Sequence, residues 1–169
     1  MSLKDVPIGP NAPDEINVIV EIPRYSSNKY EFDQELGVMR LDRVLYSPLH
    51  YPWDYGFVPQ TNYLDGDPID ALVLVSHPTF PGVVIDAKPI GVMQMEDGGK
   101  PDEKLLCVAS KDPRFGYRKT SEELNAHTLI EITHFFEVYK QLEETSVHIK
   151  GWKGREAAIE IIQKFRTDR

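Results

Sequence analysis

The chain has 169 residues, of which 41% are apolar and 27% charged, and its formal net charge is −8. That length predicts one domain, residues 1–169, able to bury roughly two thirds of its unfolded surface. The acidic balance argues against sequence-independent nucleic-acid binding, which needs a positive footprint. No apolar run approaches ~18 residues, so no membrane span is expected. Met1 to Asn11 shows neither the basic start nor the apolar stretch of a signal peptide. The one cysteine, Cys107, lies in the apolar run Leu105–Ala109. It excludes an intrachain disulfide and fits a buried thiol in a reducing cytoplasm.

Pro7, Pro10 and Pro13 predict an N-terminal segment that wraps the surface. Ile16–Ile22 is rich in β-branched residues and reads as a strand. Lys29–Asp33 and Val38–Leu45 flank a loop ending in Gly37, the pattern of a hairpin. Tyr51–Pro59 is aromatic and short-stranded, and Ala71–Val75 reads as a buried strand. Val83–Met95 predicts one long strand, with Pro89 and Gly91 marking a bend or an edge. A polar loop over Glu96–Glu103 precedes a strand over Lys104–Ala109. Leu129, Ile132, Phe136 and then Tyr139 or Lys140 recur at three and four, which predicts a helix from about Glu122 to Glu143, capped by Thr120 or Ser121. A short strand, Val147–Lys150, and a last helix over Arg155–Arg166 complete the chain. The layout is α+β and mainly β: a small barrel with helices against it.

The densest chemistry is Asp65-Gly66-Asp67-Pro68-Ile69-Asp70, with three carboxylates in six positions. Asp-Gly and Asp-Pro both promote turns, and grouped carboxylates suit a hard divalent cation, so turn and metal site both fit. An EF-hand starting at Asp65 needs Gly at position 70 and Glu at position 76; Asp70 and Ser76 stand there instead. The polar residues before Asp65 also disfavour a D-x-D phosphatase nucleophile, which sits at the end of an apolar strand. Glu21, on an otherwise apolar strand, and Asp97 and Asp102, flanking Gly98-Gly99, are further candidates for a multi-metal carboxylate cage. Taken singly, the spacing of Asp97 and Asp102 favours a solvated hairpin tip. Lys29 and Arg43 lie on the two arms of the hairpin and can share a face as anion ligands. Lys104, Tyr55, Tyr139 and Lys140 are the remaining cationic and phenolic candidates. The five histidines show no metal-binding spacing, and neither a P-loop nor a dinucleotide glycine motif occurs.

Taken in order, these pieces resemble the soluble inorganic pyrophosphatases of family I, of the short prokaryotic type. The resemblance is carried by the Asp65–Asp70 hexapeptide and by Glu21-Ile22-Pro23, Asn28-Lys29-Tyr30-Glu31, Leu41-Asp42-Arg43 and Asp54-Tyr55-Gly56. Met95-Glu96-Asp97, Asp102-Glu103-Lys104 and His134–Lys140 extend it nearly end to end. It implies a five-stranded OB-like barrel with flanking helices and hydrolysis of pyrophosphate to two phosphates. It implies several Mg²⁺ ions per site, with Mn²⁺ or Zn²⁺ as substitutes, and a homohexamer. By the same resemblance Asp65, Asp70 and Asp102 hold the first metal, Asp70 being shared with the second, and Asp97, Asp102 and Glu21 serve the metals that arrive with substrate. Asp67 becomes the general base. Lys29, Arg43, Tyr139 and Lys140 become phosphate ligands with Lys104 close by, and Tyr55 lines the pocket. One departure stands out: Ser146-Val147-His148 occupies a place where many members of the family carry lysines. A nucleic-acid or protein-binding OB module and a two-metal phosphodiesterase are the rival readings.

Overall fold

A computed structural model describes residues 2–168. Nine strands and two α-helices follow one another as β1 (Ile16–Ile22), β2 (Asn28–Asp33), β3 (Val38–Val44), β4 (Asp54–Phe57), β5 (Asp70–Leu74), β6 (Val84–Asp97), β7 (Lys100–Pro101), β8 (Lys104–Ala109), α1 (Ala126–Val138), β9 (Val147–Gly154) and α2 (Arg155–Phe165). Strands β1, β4, β5, β8 and β6 are hydrogen-bonded in that order. The ring closes because β6 is long enough to do two jobs. Its first residues, Val84–Ala87, pair with β1, and Ala87–Met93 pair with β8. This is the five-stranded barrel that the sequence resemblance implied. The distal half of β6 continues past the ring and pairs with β9 and β7.

Strands β5 and β8 run parallel and are buried along almost their whole length. A strand covered on both faces reads as continuous apolar sequence rather than alternation, which is why both runs stood out. Their successive side chains feed two different cores. Leu72, Leu74, Leu106 and Val108 meet Ile132, Phe135 and Phe136 of α1. Ala71, Val73, Leu105 and Cys107 meet Ala158 and Ile162 of α2. Cys107 is thus a core side chain, and burial pushes its thiol well above the ordinary range. At Gly56 no side chain fits at all: a Cβ there would lie 1.9 Å from the Ile19 carbonyl oxygen, so β4 is pressed directly onto β1.

Three expectations change at their boundaries. The long helix is confined to Ala126–Val138, with 3₁₀ turns over Ser121–Glu123 and Gln141–Glu143 on either side. Asn125 is its N-cap, the side chain accepting from the His127 N–H at 2.9 Å, in place of Thr120 or Ser121. The segment 96–103 is a tight hairpin between β6 and β7 rather than a loop throughout. The strand expected over Val147–Lys150 extends to Gly154, because β6 offers it a partner along its whole length. The bend expected at Pro89 and Gly91 is a β-bulge in which Ile90 is the unpaired residue.

Candidate active site

One cleft of about 670 Å³ opens at the end of the barrel, and eleven of the twelve residues singled out from sequence line it. Each reaches it by a local device. Glu21 sits on β1 among apolar neighbours, but Val20 pairs with Gly56 and Ile22 with Tyr55, so Glu21 is the extra residue of a bulge. The bulge re-aims its carboxylate into the cleft. Tyr55, its neighbour across the ring, lines the same wall. The hexapeptide does form a turn: the Asp67 N–H donates to Asp65 Oδ1 at 2.9 Å, and Gly66 takes φ +87°. The turn ends where β5 begins, so Asp70 is held by the ladder while Asp65 and Asp67 project from the loop.

Asp70 stands beside Lys104 in the parallel β5–β8 register. The Lys104 ammonium is almost fully buried, 2.7 Å from Asp70 Oδ2 and 2.9 Å from Asp102 Oδ1. Burial works against its charge, but the Asp70 and Asp102 carboxylates outweigh burial and raise its pKa well above the ordinary lysine value. Lys140, just after α1, donates to Asp97 on β6, and its neighbour Tyr139 is buried in the same wall. Burial raises the Tyr139 and Tyr55 hydroxyls above the ordinary tyrosine range, so both stay protonated as donors at neutral pH.

Lys29 and Arg43 are direct cross-strand partners on β2 and β3, as their places on the hairpin suggested. Only Lys29 lines the cleft. Arg43 is drawn aside by Asp42, 2.6 Å from Nη1, and by Glu143, 2.7 Å from Nε. Sequence reasoning assigned no role to Asp42, Arg40, Glu31 or Lys100, all of which line the cleft. Asp42 reaches it as the extra residue of a second bulge, since Lys29 pairs with Arg43 and Tyr30 with Leu41. The charge density of the hairpin was visible in sequence; the bulge was not.

Negative charge is crowded here. Burial and the Asp70 carboxylate push Glu21 up to about 8. Burial, Asp65, Asp70 and Glu31 raise Asp67, and burial with Asp70 raises Asp102 against the pull of Lys104. Such a set of oxygen donors fits hard divalent cations, which relieve the repulsion that protonation otherwise relieves. Among the described residues, no three Asp, Glu, His or Cys side chains already close into a metal cage. The lysines stand between the carboxylates instead.

The family model described as inorganic pyrophosphatase matches residues 18–168. An inorganic pyrophosphatase of Synechocystis is 50% identical over 164 residues, covering 97% of this chain and 96% of the relative. One of Methanosarcina mazei is 53% identical over 149 residues, 88% of each chain. The crystal structure of inorganic pyrophosphatase from Thermus thermophilus superposes with a TM-score of 0.93 at 41% identity, covering 96% of this chain and 95% of that one. Likeness of this extent covers the barrel, the hairpin and every segment that walls the acidic cleft, so this chain belongs to the inorganic pyrophosphatase family and is a pyrophosphate-hydrolysing enzyme.

Proposed function

We propose that residues 1–169 act as one domain that hydrolyses pyrophosphate in the acidic cleft with several Mg²⁺ ions, Asp67 serving as general base. The observation that carries this is the gathering of carboxylates, lysines and tyrosines from seven separate segments into one cavity. Glu21, Asp65, Asp70, Asp97 and Asp102 are the residues that would hold the metal. When bound, Mg²⁺ neutralises phosphate oxygens and lowers the pKa of a coordinated water.

The residues of the chain divide the remaining work. Asp67 accepts a proton from the attacking water as its oxygen bonds to one phosphorus and the bridging oxygen leaves with the other phosphate. The turn projects its carboxylate into the cleft, where it can reach that water. Lys29, Lys104 and Lys140 offset the charge that spreads onto the phosphate oxygens. Tyr55 and Tyr139 donate from the apolar wall. Arg43 offers a bidentate contact once it exchanges Asp42 and Glu143 for substrate. The enzyme works in the cytoplasm as a homohexamer, does not bind nucleic acid, and accepts Mn²⁺ or Zn²⁺ in place of Mg²⁺. No helix among the described residues is long and apolar enough to cross a membrane.

Phosphate release from pyrophosphate is the direct test, run with Mg²⁺, with EDTA, and with Ca²⁺ replacing Mg²⁺. Release with Mg²⁺ that EDTA abolishes is expected; release undiminished by EDTA would end the metal reading. A phosphodiester substrate run in parallel, and left uncleaved, separates this reading from a two-metal phosphodiesterase.

A further inference from the structure

Two segments supply four of the nine carboxylates that line the cleft: the turn leading to Asp70, with Asp65, Asp67 and Asp70, and the strand entry Asp102–Lys104, with Asp102. Inside the cleft they are linked through Lys104, which contacts both Asp70 and Asp102. A second link lies outside it. The buried Tyr63 donates its hydroxyl to Glu103 Oε1 at 2.9 Å, across 40 positions of sequence. Neither residue lines the cleft.

The backbone of Tyr63 is part of the acidic turn itself. Its N–H donates to the Asp67 carbonyl at 2.7 Å, and its carbonyl accepts from the Gly66 N–H at 3.0 Å. On its other side the ring packs edge-on against Phe165 of α2, with centroids 4.9 Å apart. Glu103 lies between Asp102 and Lys104. The Asp102 N–H is in turn anchored to the Met95 carbonyl at 2.9 Å. Tyr63 therefore ties together the turn, the last helix and the segment that bears Asp102. A tyrosine needed only to fill space there could be phenylalanine. A hydroxyl that reaches a carboxylate adds direction, because hydrogen bonds to charged groups are short and angle-dependent.

We propose that Tyr63 and Glu103 are positioning residues, which set the spacing of the Asp65–Asp70 turn against Asp102 and so tune divalent-cation affinity. The link itself lies outside the cleft. This rests on the reading of Asp70 and Asp102 as metal-holding residues.

The test is calorimetric titration of Mg²⁺ into Tyr63→Phe, Glu103→Leu, Glu103→Gln and the Tyr63→Phe/Glu103→Leu double variant, without substrate. Asp70→Asn is the control. Loss of one hydrogen bond to a charged group predicts Mg²⁺ affinity about tenfold weaker in Tyr63→Phe and in Glu103→Leu. The double variant should be no weaker than either single one, since both remove the same bond. Glu103→Gln keeps an acceptor for Tyr63 and should bind Mg²⁺ within about twofold of the parent. Turnover at saturating Mg²⁺ should be retained in Tyr63→Phe while the Mg²⁺ concentration for half-activity rises. Unchanged Mg²⁺ affinity in Tyr63→Phe, with or without a lower melting temperature, overturns the proposal and leaves the metal reading standing. Unchanged affinity in Asp70→Asn overturns the metal reading, and the proposal with it.

Discussion

Two regions of this molecule surround aspartates with polar partners, and they do it in opposite ways. Asp54, at the start of β4, is completely buried. Its carboxylate accepts from the Arg24 N–H at 2.8 Å and from the N–H and hydroxyl of Thr79. Burial raises its pKa and these donors pull it back. In the cleft, carboxylates face one another and the ends of lysines, and few backbone N–H groups point at them. A carboxylate surrounded by backbone donors is a tie between loops. Carboxylates surrounded by their own kind are a place for cations. Counting aspartates does not separate the two; counting the donors around each does.

The sharpest way to break this comparison is Asp67→Asn. Turnover should fall by about 10²–10⁴-fold, the usual contribution of general base catalysis, while calorimetric Mg²⁺ binding stays close to that of the parent. A large loss of Mg²⁺ affinity would move Asp67 among the metal-holding residues. Asp70→Asn should give the converse, with Mg²⁺ affinity at least about tenfold weaker and turnover partly recovered at high Mg²⁺. Asp54→Ala should leave the cleft working and damage the fold. It strands the Arg24 and Thr79 donors, each worth about 1–3 kcal/mol when buried without a partner, so the urea midpoint should drop clearly. Activity per folded molecule should change little, and a selective loss of Mg²⁺ affinity would contradict the role given to Asp54.

The smallest effect concerns pH. Asp112 is a second tie, accepting from the Ser76 N–H at 2.6 Å, the Ser76 hydroxyl at 2.9 Å and the Arg114 N–H at 2.9 Å. Burial acts to raise its pKa, but the bonds from Ser76 and Arg114 together outweigh it and the value is lowered. A lowered carboxylate contributes stability above its unfolded pKa of about 3.9 and loses it as pH falls through the folded value. Asp112→Asn should therefore flatten the dependence of the urea midpoint on pH below about pH 4 and leave the slope near neutrality unchanged. A steeper acid limb in the variant would contradict the sign.

Much of this was readable beforehand. The strands of the ring announced themselves because β5 and β8 are buried on both faces and carry unbroken apolar runs. The ordered motifs placed eleven cleft residues before any geometry was known. What failed to show was local. The helix period at Ile132, Phe136 and Tyr139 was real, but its ends were overrun, because Asn125 caps the helix and Lys140 leaves helical geometry at φ −110°, ψ 7°. Periodicity reports which side chains share a face; it is silent on which backbone groups find a partner.

By itself, then, the sequence determined the chemical inventory: which carboxylates, lysines and tyrosines are available, and which strands must be buried. Those follow from residue type and spacing. Only the tertiary structure decided that Glu21 and Asp42 enter the cleft through bulges, that Arg43 is held aside by Glu143, and that Tyr63 reaches Glu103. Each depends on register between strands or on contacts between segments far apart in the chain. Register is set by the summed packing of a whole sheet, and no single stretch of residues carries that sum.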